Sequence, residues 1–261
     1  MSNVMPDLAF LKRLADAAAT ESLRYFRADL DIENKYQVGF DPVTEGDKRA
    51  EAAIRAILEE EFPDHGILGE EYGATNTDRS HVWVIDPIDG TRAFIAGLPV
   101  WGTLVGLKVD GHARMGFIHQ PYTGEFYVAD GAGASLIDRE GRQRKLATRK
   151  NCALADAILF TTSPKLYSGQ EQPAFERLEN QVKLSRYGTD CYAAALVAAG
   201  HADIWIDPDL QPYDIVGIIP VIEQAGGIVT TIDGGRPEDG GTVIAAGSKE
   251  LHAQAIAAFK G

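Results

Sequence analysis

The chain has 261 residues, a length that allows either one large domain or two smaller ones. Its 45% hydrophobic and 24% charged residues are typical of a globular protein. The formal net charge of −13 argues against nucleic acid and anionic lipid as partners, because both would be repelled. No apolar run approaches the roughly 18 residues that a membrane span needs, and residues 1–14 lack the apolar core of a signal peptide.

The chain contains two cysteines, Cys152 and Cys191, which argues against a disulfide framework. This usage fits a reducing compartment, so we expect a cytoplasmic protein. The acidic balance also bears on the substrate. A small anionic substrate would approach such a protein only if bound cations reversed the local field.

Before residue 138 the sequence pattern predicts helices that pack on an antiparallel sheet. Apolar residues at helical spacing predict one helix over 7–27 and a second from near Asp47 to Phe62. Thr44 precedes Asp47 by three residues, the spacing of a capping box. Asp110 and Gly111 between two apolar runs predict a hairpin turn. The predicted strands cover 67–68, 81–85, 101–109, 113–119 and 125–128.

After the polar stretch 138–150, predicted strands and helices alternate, which favours an α/β arrangement. We therefore predict an α+β domain over residues 1–145, carrying most candidate metal ligands, and an α/β domain over 146–261. Pro220 conflicts with a helix drawn over 215–225, so that helix either starts later or bends. The predicted elements cover 157–161, 172–180, 183–187, 190–199, 202–206, 215–225, 228–231, 243–246 and 249–259.

The most informative motif is the segment from Asp86 to Thr91. A strand-like run leads to Asp86 and Asp89, which flank Pro-Ile and precede Gly90 and Thr91. Two carboxylates and the Ile88 carbonyl are hard oxygen ligands, suited to Mg²⁺ or Mn²⁺. The N–H groups that open the following helical segment form a ready anion site. The motif therefore suggests phosphate chemistry, although the same pattern alone is typical of an Asp cap with an Asx turn.

Three further acids gain meaning from this motif. Asp47 and Asp214 each open a predicted helix, where an acid ordinarily favours the helix dipole. Glu70 follows a short apolar segment, and a Glu pair at such a place is commonly solvated. Their joint occurrence with Asp86 and Asp89 suggests one acidic centre.

The sequence resembles the inositol-monophosphatase-like metal-dependent phosphatases. The resemblance lies in three blocks, residues 41–47 continuing at 62–71, then 83–91, then 212–214 with Gly226-Gly227. They span most of the chain in the family's order. The resemblance implies a layered αβαβα sandwich of the α/β class, with the site between two parts, and a homodimer.

The resemblance also implies roles for individual residues. Asp47 and Thr91 would orient the attacking water, with Glu70 assisting, and no covalent phosphoenzyme would form. The Gly90 and Thr91 N–H groups would hold the phosphate. The implied ligands of two or three Mg²⁺ ions, with Mn²⁺ as an alternative, are Glu70, Asp86, the Ile88 carbonyl, Asp89 and Asp214.

The substrate is suggested by the residues beyond Thr91. Inositol-type members usually continue with Thr-Asn-Phe, whereas this chain has Arg92-Ala93-Phe94. Residues 97–103, 186–192 and 210–214 are similar to the histidinol-phosphatase branch. We therefore expect hydrolysis of L-histidinol phosphate in histidine biosynthesis. Its ammonium and imidazole groups call for carboxylates, and Asp190 and Asp207 are the candidates, with Arg92 also near the substrate.

Several alternatives stay open at this stage. Asp190 could be a helix N-cap and Arg92 a solvated residue. Lys35 could approach the phosphate or lie on the surface. Inositol 1-phosphate, a nucleotide 3′-phosphate and a sugar bisphosphate are alternative substrates. A non-catalytic metal- or phosphate-binding protein is the alternative from another class, and the presence of Asp47 and Thr91 argues against it.

Overall fold

Two β-sheets and the helices packed on them make up the structure, a computed structural model that describes residues 5–28, 33–34 and 42–261, with backbone alone at 33–34 and 42–43. The helices are α1 (Leu8–Ser22), α2 (Glu45–Glu61), α3 (Thr91–Ile95), α4 (Glu171–Glu179), α5 (Asp190–Ala198), α6 (Pro212–Ile215), α7 (Ile218–Gln224) and α8 (Lys249–Lys260). The strands are β1 (Glu33–Asn34), β2 (Pro42–Val43), β3 (Gly66–Gly69), β4 (Gly73–Thr75), β5 (His81–Asp89), β6 (Gly102–Val109), β7 (His112–Gln120), β8 (Glu125–Ala129), β9 (Ala134–Ile137), β10 (Gln143–Lys145), β11 (Ile158–Thr161), β12 (Leu184–Tyr187), β13 (Ile204–Leu210), β14 (Ile228–Thr231) and β15 (Gly241–Ala246).

The larger sheet has eight strands in the order β10-β9-β8-β7-β6-β5-β3-β4. Its pairs are antiparallel except β3 with β5, so the predicted antiparallel sheet is confirmed apart from that pair. The smaller sheet has five strands in the order β12-β11-β13-β15-β14. In it β11 runs parallel to both neighbours, whereas β15 is antiparallel to β13 and β14. The two sheets therefore differ in the directions of their strands. Strands β1 and β2 form a separate, short antiparallel pair.

Helices lie on both sides of each sheet, which confirms the expected αβαβα layering. Helices α1 and α2 cover one face of the larger sheet through Leu14, Ile54 and Trp83. Helices α5 and α7 lie between the two sheets in a core that contains residues of both. Helices α4 and α8 cover the outer face of the smaller sheet through Phe175 and Leu251. Because the middle core is shared, the division at residue 145 stays a prediction.

Local signals fixed several element boundaries as expected. Thr44 and Asp47 form the predicted capping box at the start of α2. Asp110 and Gly111, with φ of 50° and 83°, form the predicted turn between β6 and β7, the conformation that a two-residue hairpin favours. Helix α1 is shorter than predicted, because it ends at Ser22 and residues 23–27 form turns. No helix in the described ranges is both long and apolar enough to span a bilayer.

The segment predicted as one helix over 215–225 is two helices, α6 and α7, with a break at Val216-Gly217. Pro220 lies in the first turn of α7, where its missing N–H has no intrahelical role. The break passes over the larger sheet so closely that a Cβ at Gly106 would lie 2.5 Å from Val216 O. This close passage places α6, and with it Asp214, beside β5.

Candidate active site

The end of β5 supplies the first part of the site. The strand continues to Asp89 and does not end at 85 as predicted, with a register shift against β6 between Asp86 and Asp89. Pro87 has no N–H for the ladder, as is usual at a bulge, and its carbonyl accepts from Thr103 Oγ1 at 2.9 Å. The irregular stretch lets Asp86 and Asp89 line the same cavity.

This cavity has a volume of about 260 Å³ and brings together most of the predicted site residues. Asp47 is the one predicted site residue that does not line it. Thr162, Leu166, Pro208 and Leu210 also line it and were not predicted, since such residues carry no chemical signal in the sequence. The predicted residues in its lining are Glu70, Asp86, Ile88, Asp89, Gly90, Thr91, Arg92, Asp190, Asp207 and Asp214.

Asp86, Asp89 and Asp214 form the acidic centre of the cavity. One carboxylate oxygen from each lies within 4.8 Å of the others. Burial and the nearby Glu70, Asp89 and Asp214 carboxylates raise the pKa of Asp86 well above its usual range. Burial, with Asp190 and Asp214 nearby, does the same to the pKa of Asp89. Burial raises the pKa of Asp214 to about 7.

Each of these acids also holds a piece of backbone. Asp86 Oδ1 accepts the Ile88 N–H at 3.1 Å, which is an Asx turn. Asp89 Oδ2 accepts the Cys191 N–H at 2.7 Å, and Asp214 Oδ2 accepts the Gln211 N–H at 2.7 Å. The Asx-turn interpretation of Asp86 is therefore correct as well, whereas neither acid of the motif caps α3, whose N-cap is Gly90 without a side-chain hydrogen bond.

The donor set fits a hard divalent cation. Among the described residues, six acids and one base, Arg92, line the cavity, so the repulsion between the carboxylates is only partly compensated by the described lining. Burial and the neighbouring carboxylates raise the pKa of both Asp86 and Asp214 and so favour a bound proton there. A cation with oxygen ligands would replace that proton and relieve the repulsion. The set suits Mg²⁺ and Mn²⁺ alike.

Asp47 lies on α2 behind this cavity, with a fully buried side chain. Its Oδ2 accepts from Thr44 N at 2.9 Å and Thr44 Oγ1 at 2.6 Å. Its Oδ1 is buried with no hydrogen-bond partner among the described residues. Burial raises the pKa of Asp47 to about 6, and the Glu70 carboxylate adds to the rise.

The expected pair of Asp47 and Thr91 is not in direct contact. Thr91 Oγ1 donates to the Ile88 carbonyl at 3.1 Å, and within the described ranges no hydrogen bond joins it to Asp47. Because the Thr91 hydroxyl donates to Ile88, its lone pairs are left to accept from a water. The joint role of Asp47 and Thr91 in orienting a water therefore stays a prediction.

Gly90 and Asp190 meet at the start of α3. Gly90 has a φ of +83°, and a Cβ there would lie 3.0 Å from Asp190 side-chain atoms. Asp190 is not the N-cap of α5, because Thr189 occupies that position. Burial raises the pKa of Asp190 to about 6, with Asp207 adding to the rise and Arg92 opposing it. Asp190 and the exposed Arg92 thus form the charged wall of the cavity.

Asp207 differs from the other acids because its carboxylate is saturated. It is 2% exposed. Oδ1 accepts from Thr161 Oγ1 and Thr162 N, each at 2.7 Å. Oδ2 accepts from Thr162 Oγ1 at 2.9 Å and Trp205 Nε1 at 2.7 Å. Four donors occupy the four lone-pair positions, so the predicted contact of Asp207 with substrate is disfavoured.

Two residues of the sequence analysis cannot be placed. Lys35 and Asp41, which precede α2 in the sequence, lie outside the described residues. The possible approach of Lys35 to the phosphate stays a prediction.

The chain belongs to the inositol monophosphatase family, whose model matches residues 4–261. This family consists of metal-dependent phosphatases, as the resemblance implied. A bifunctional chloroplastic phosphatase of Arabidopsis thaliana, IMPL2, is 39% identical over 93% of this chain and 72% of its own. A histidinol-phosphatase of Chlorobaculum parvum is 36% identical over 85% of this chain and 84% of its own.

Among solved structures, an inositol monophosphatase from Zymomonas mobilis is 37% identical and superposes with a TM-score of 0.87 over the full length of both chains. The expected fold is therefore confirmed. The relatives carry the names of both histidinol and inositol phosphatases, so the comparisons define a phosphoric monoester hydrolase and not its ester.

Proposed function

We propose that the protein is a Mg²⁺-dependent phosphomonoesterase that hydrolyses L-histidinol phosphate to L-histidinol and phosphate. The observation that carries the reaction class is the cluster of the buried Asp86 with the half-buried Asp89 and Asp214 beside the start of α3. The carboxylates and the first residues of α3 line one cavity, an arrangement that suits bound cations and a phosphate ester.

Glu70, Asp86, Ile88, Asp89 and Asp214 would hold the cations. When bound, Mg²⁺ neutralises the charge of a phosphate dianion, lowers the pKa of a water ligand and stabilises the departing alkoxide. The residues of the chain supply position and proton transfer. No covalent intermediate is part of the proposal, because the reaction needs only an oriented water.

Asp47 and Thr91 would orient that water. The unpartnered Oδ1 of Asp47 is a buried proton acceptor, and its pKa of about 6 lies near the range in which a general base works best. The Thr91 hydroxyl, with its proton given to Ile88, accepts from the water. The backbone N–H groups of Gly90 and Thr91, which no helical carbonyl can reach, would bind the phosphate oxygens.

Asp190 and Arg92 support the choice of ester. Asp190 and Arg92 both line the cavity and interact electrostatically, and Asp190 supplies the carboxylate of this pair. A carboxylate there suits an ammonium or imidazolium group. Relatives named histidinol-phosphatase match most of the chain, which supports the same choice. A cytoplasmic location, a homodimer and the absence of nucleic-acid partners stay predictions.

Phosphate release from a panel of esters tests the proposal. Purified protein with Mg²⁺ would be assayed on histidinol phosphate, inositol 1-phosphate, a nucleotide 3′-phosphate and a sugar bisphosphate. We expect the highest kcat/KM for histidinol phosphate. A clearly higher value for inositol 1-phosphate would reject the substrate and favour the second candidate, which the similarity to the Zymomonas enzyme supports. Absence of turnover on every ester would favour the non-catalytic alternative.

The proposed contact of Asp190 with the substrate has its own test. Replacement of Asp190 by Asn should raise KM for histidinol phosphate and leave KM for an ester with an uncharged leaving group, such as p-nitrophenyl phosphate, nearly unchanged. An equal change for both esters would assign Asp190 to the fold and not to the substrate.

A further inference from the structure

One acid of α2 has no place in the proposed chemistry and yet is fully buried. Glu51 lies one helical turn beyond Asp47, so both side chains leave the same face of α2. Its carboxylate is fully buried, and it does not line the cavity. A buried carboxylate is costly unless it is paired and hydrogen-bonded, so its partners indicate its role.

The partners of Glu51 are the residues directly after Glu70. Glu51 Oε2 accepts the Glu71 N–H at 2.7 Å, and Oε1 accepts the Tyr72 N–H at 3.2 Å. Arg55 Nε donates to Oε1 at 2.7 Å. The turn that joins β3 to β4 is thus held by a carboxylate of α2, the helix that covers one face of the larger sheet.

The same contacts fix the two ends of this turn. Arg55 also donates to the carbonyl of Gly73, which opens β4. At the other end, a Cβ at Gly69 would overlap Glu51 Oε1, so glycine is required for the close approach. Glu70 itself is joined to β5 by its N–H, which donates to Ile85 O at 3.1 Å. Contacts with Glu51 and Arg55 of α2, and with β5, therefore constrain the segment from Gly69 to Gly73.

We infer that Glu51, paired with Arg55, is a positioning residue that holds the Glu70 loop at the candidate cation site. The inference rests on the proposed role of Glu70 as a ligand. Glu51 touches neither the cavity nor the substrate, and it acts by fixing the backbone on which Glu70 stands. Because it lies on the same helix face as Asp47, one helix aligns the water-orienting acid with the Glu70 ligand.

Replacement of Glu51 by Gln tests the inference, since Gln keeps the shape and one acceptor but loses the other acceptor and the charge. We expect Mn²⁺ binding, followed by the electron paramagnetic resonance of free Mn²⁺, to weaken by about 10- to 100-fold, as for other groups that orient metal ligands. The half-saturating Mg²⁺ concentration for phosphate release should rise by a similar factor, while saturating Mg²⁺ restores most of kcat and KM changes little.

Glu238 provides a matched control. It is also buried, pairs with an arginine, Arg236, and accepts a backbone N–H from Ala113 at 3.2 Å. It does not line the cavity. Glu238→Gln should therefore lower thermal stability without changing Mn²⁺ affinity. An equal loss of affinity in both variants, or an unchanged affinity in folded Glu51→Gln, would overturn the inference.

A measurement on the unaltered protein covers the case in which Glu51→Gln does not fold. The Glu71 and Tyr72 amides should be protected from hydrogen exchange in metal-free protein, because Glu51 accepts from both. Free exchange of both amides would overturn the inference. Wild-type protein that binds no Mn²⁺ would instead reject the proposed function. The two failures are thus distinguished by the measurement, amide exchange for the inference and Mn²⁺ binding for the proposed function.

Discussion

The backbone N–H of Cys191 donates to Asp89 Oδ2 at 2.7 Å, and this bond joins the first turn of α5 to the end of β5. Asp89 therefore has two roles. It accepts a hydrogen bond from the first turn of α5, and it is a member of the acidic cluster. Asp214 has the same double use at the start of α6. The cluster is consequently assembled by contacts between elements that lie far apart in the chain.

Replacement of Asp89 by Asn should separate these two roles. The amide oxygen still accepts the Cys191 N–H, whereas the charge and a cation ligand are lost. We expect Mg²⁺-dependent phosphate release to fall by at least about 100-fold, since loss of a ligand should exceed loss of an outer group. Circular dichroism should show an unchanged fold.

Asp16→Asn is the control for this experiment, because Asp16 is an acid on the exposed face of α1. It should leave the rate of phosphate release unchanged. Near-normal turnover of Asp89→Asn would refute the assignment of Asp89 as a ligand.

The metal-free protein should be stabilised by removal of an acid from the cluster. Burial raises the pKa of Asp214 from 3.8 to about 7, so the folded state binds more protons than the unfolded state between these values. Its carboxylate therefore weakens the fold as the pH rises from about 4 to above 7. In EDTA at pH 8, Asp214→Asn should melt roughly 2–6 °C above the wild type.

The pH dependence makes this prediction specific. The difference in melting temperature should shrink as the pH falls through 7 towards 5, where the wild-type carboxyl is protonated. His65, His119 and His252, whose pKa values burial lowers, destabilise both proteins alike in acid. They cancel in the comparison. A wild type that is more stable than the variant at pH 8 in EDTA would contradict the predicted repulsion.

Local signals in the sequence were sufficient for much of the fold. The capping box of Thr44 and Asp47 and the Asp110-Gly111 turn depend on residues a few positions apart. Pro220 indicated a later start or a bend in the helix drawn over 215–225, but not the position of the break at Val216-Gly217, which packs closely against β6, about a hundred residues away in the chain. The pairing of β3 with β5 and the place of β15 between β13 and β14 are likewise long-range.

The candidate site was likewise only partly predictable from the sequence. The acids could be named from the sequence because their residue types and their order carry the chemistry. The saturation of Asp207 could not, since Thr161 and Thr162 reach it only through the pairing of β11 with β13, although Trp205 lies on the same strand as Asp207. Thr162 and Leu166 line the cavity for the same reason.

Gly90→Ala should harm the site more than the same change elsewhere. Gly90 has a φ of +83°, and a Cβ would meet Asp190 at 3.0 Å, so alanine adds both backbone strain and a tight contact at the phosphate site. Gly111→Ala is the matched control, with the same φ of +83° and no atom within 4 Å. Each should lose about 1–2 kcal/mol of unfolding free energy in urea.

The two glycine variants should differ in their kinetics. KM for the phosphate ester should rise in Gly90→Ala, because Asp190 and the N–H groups at the start of α3 are displaced. It should stay at the wild-type value in Gly111→Ala. Equal kinetics in both variants would show that Gly90 serves the backbone conformation alone.

Asp207→Asn should act on stability and not on recognition of charge. The amide keeps one acceptor oxygen, while its NH₂ group faces donors such as Trp205 Nε1. An unpaired buried donor costs about 1–3 kcal/mol, and we expect that loss in chemical denaturation. The kcat/KM ratio between histidinol phosphate and p-nitrophenyl phosphate should be nearly unchanged, whereas Asp190→Asn should lower it. A selective loss with Asp207→Asn would mean that its carboxylate binds the substrate after all, with at least one of its four donors released on binding.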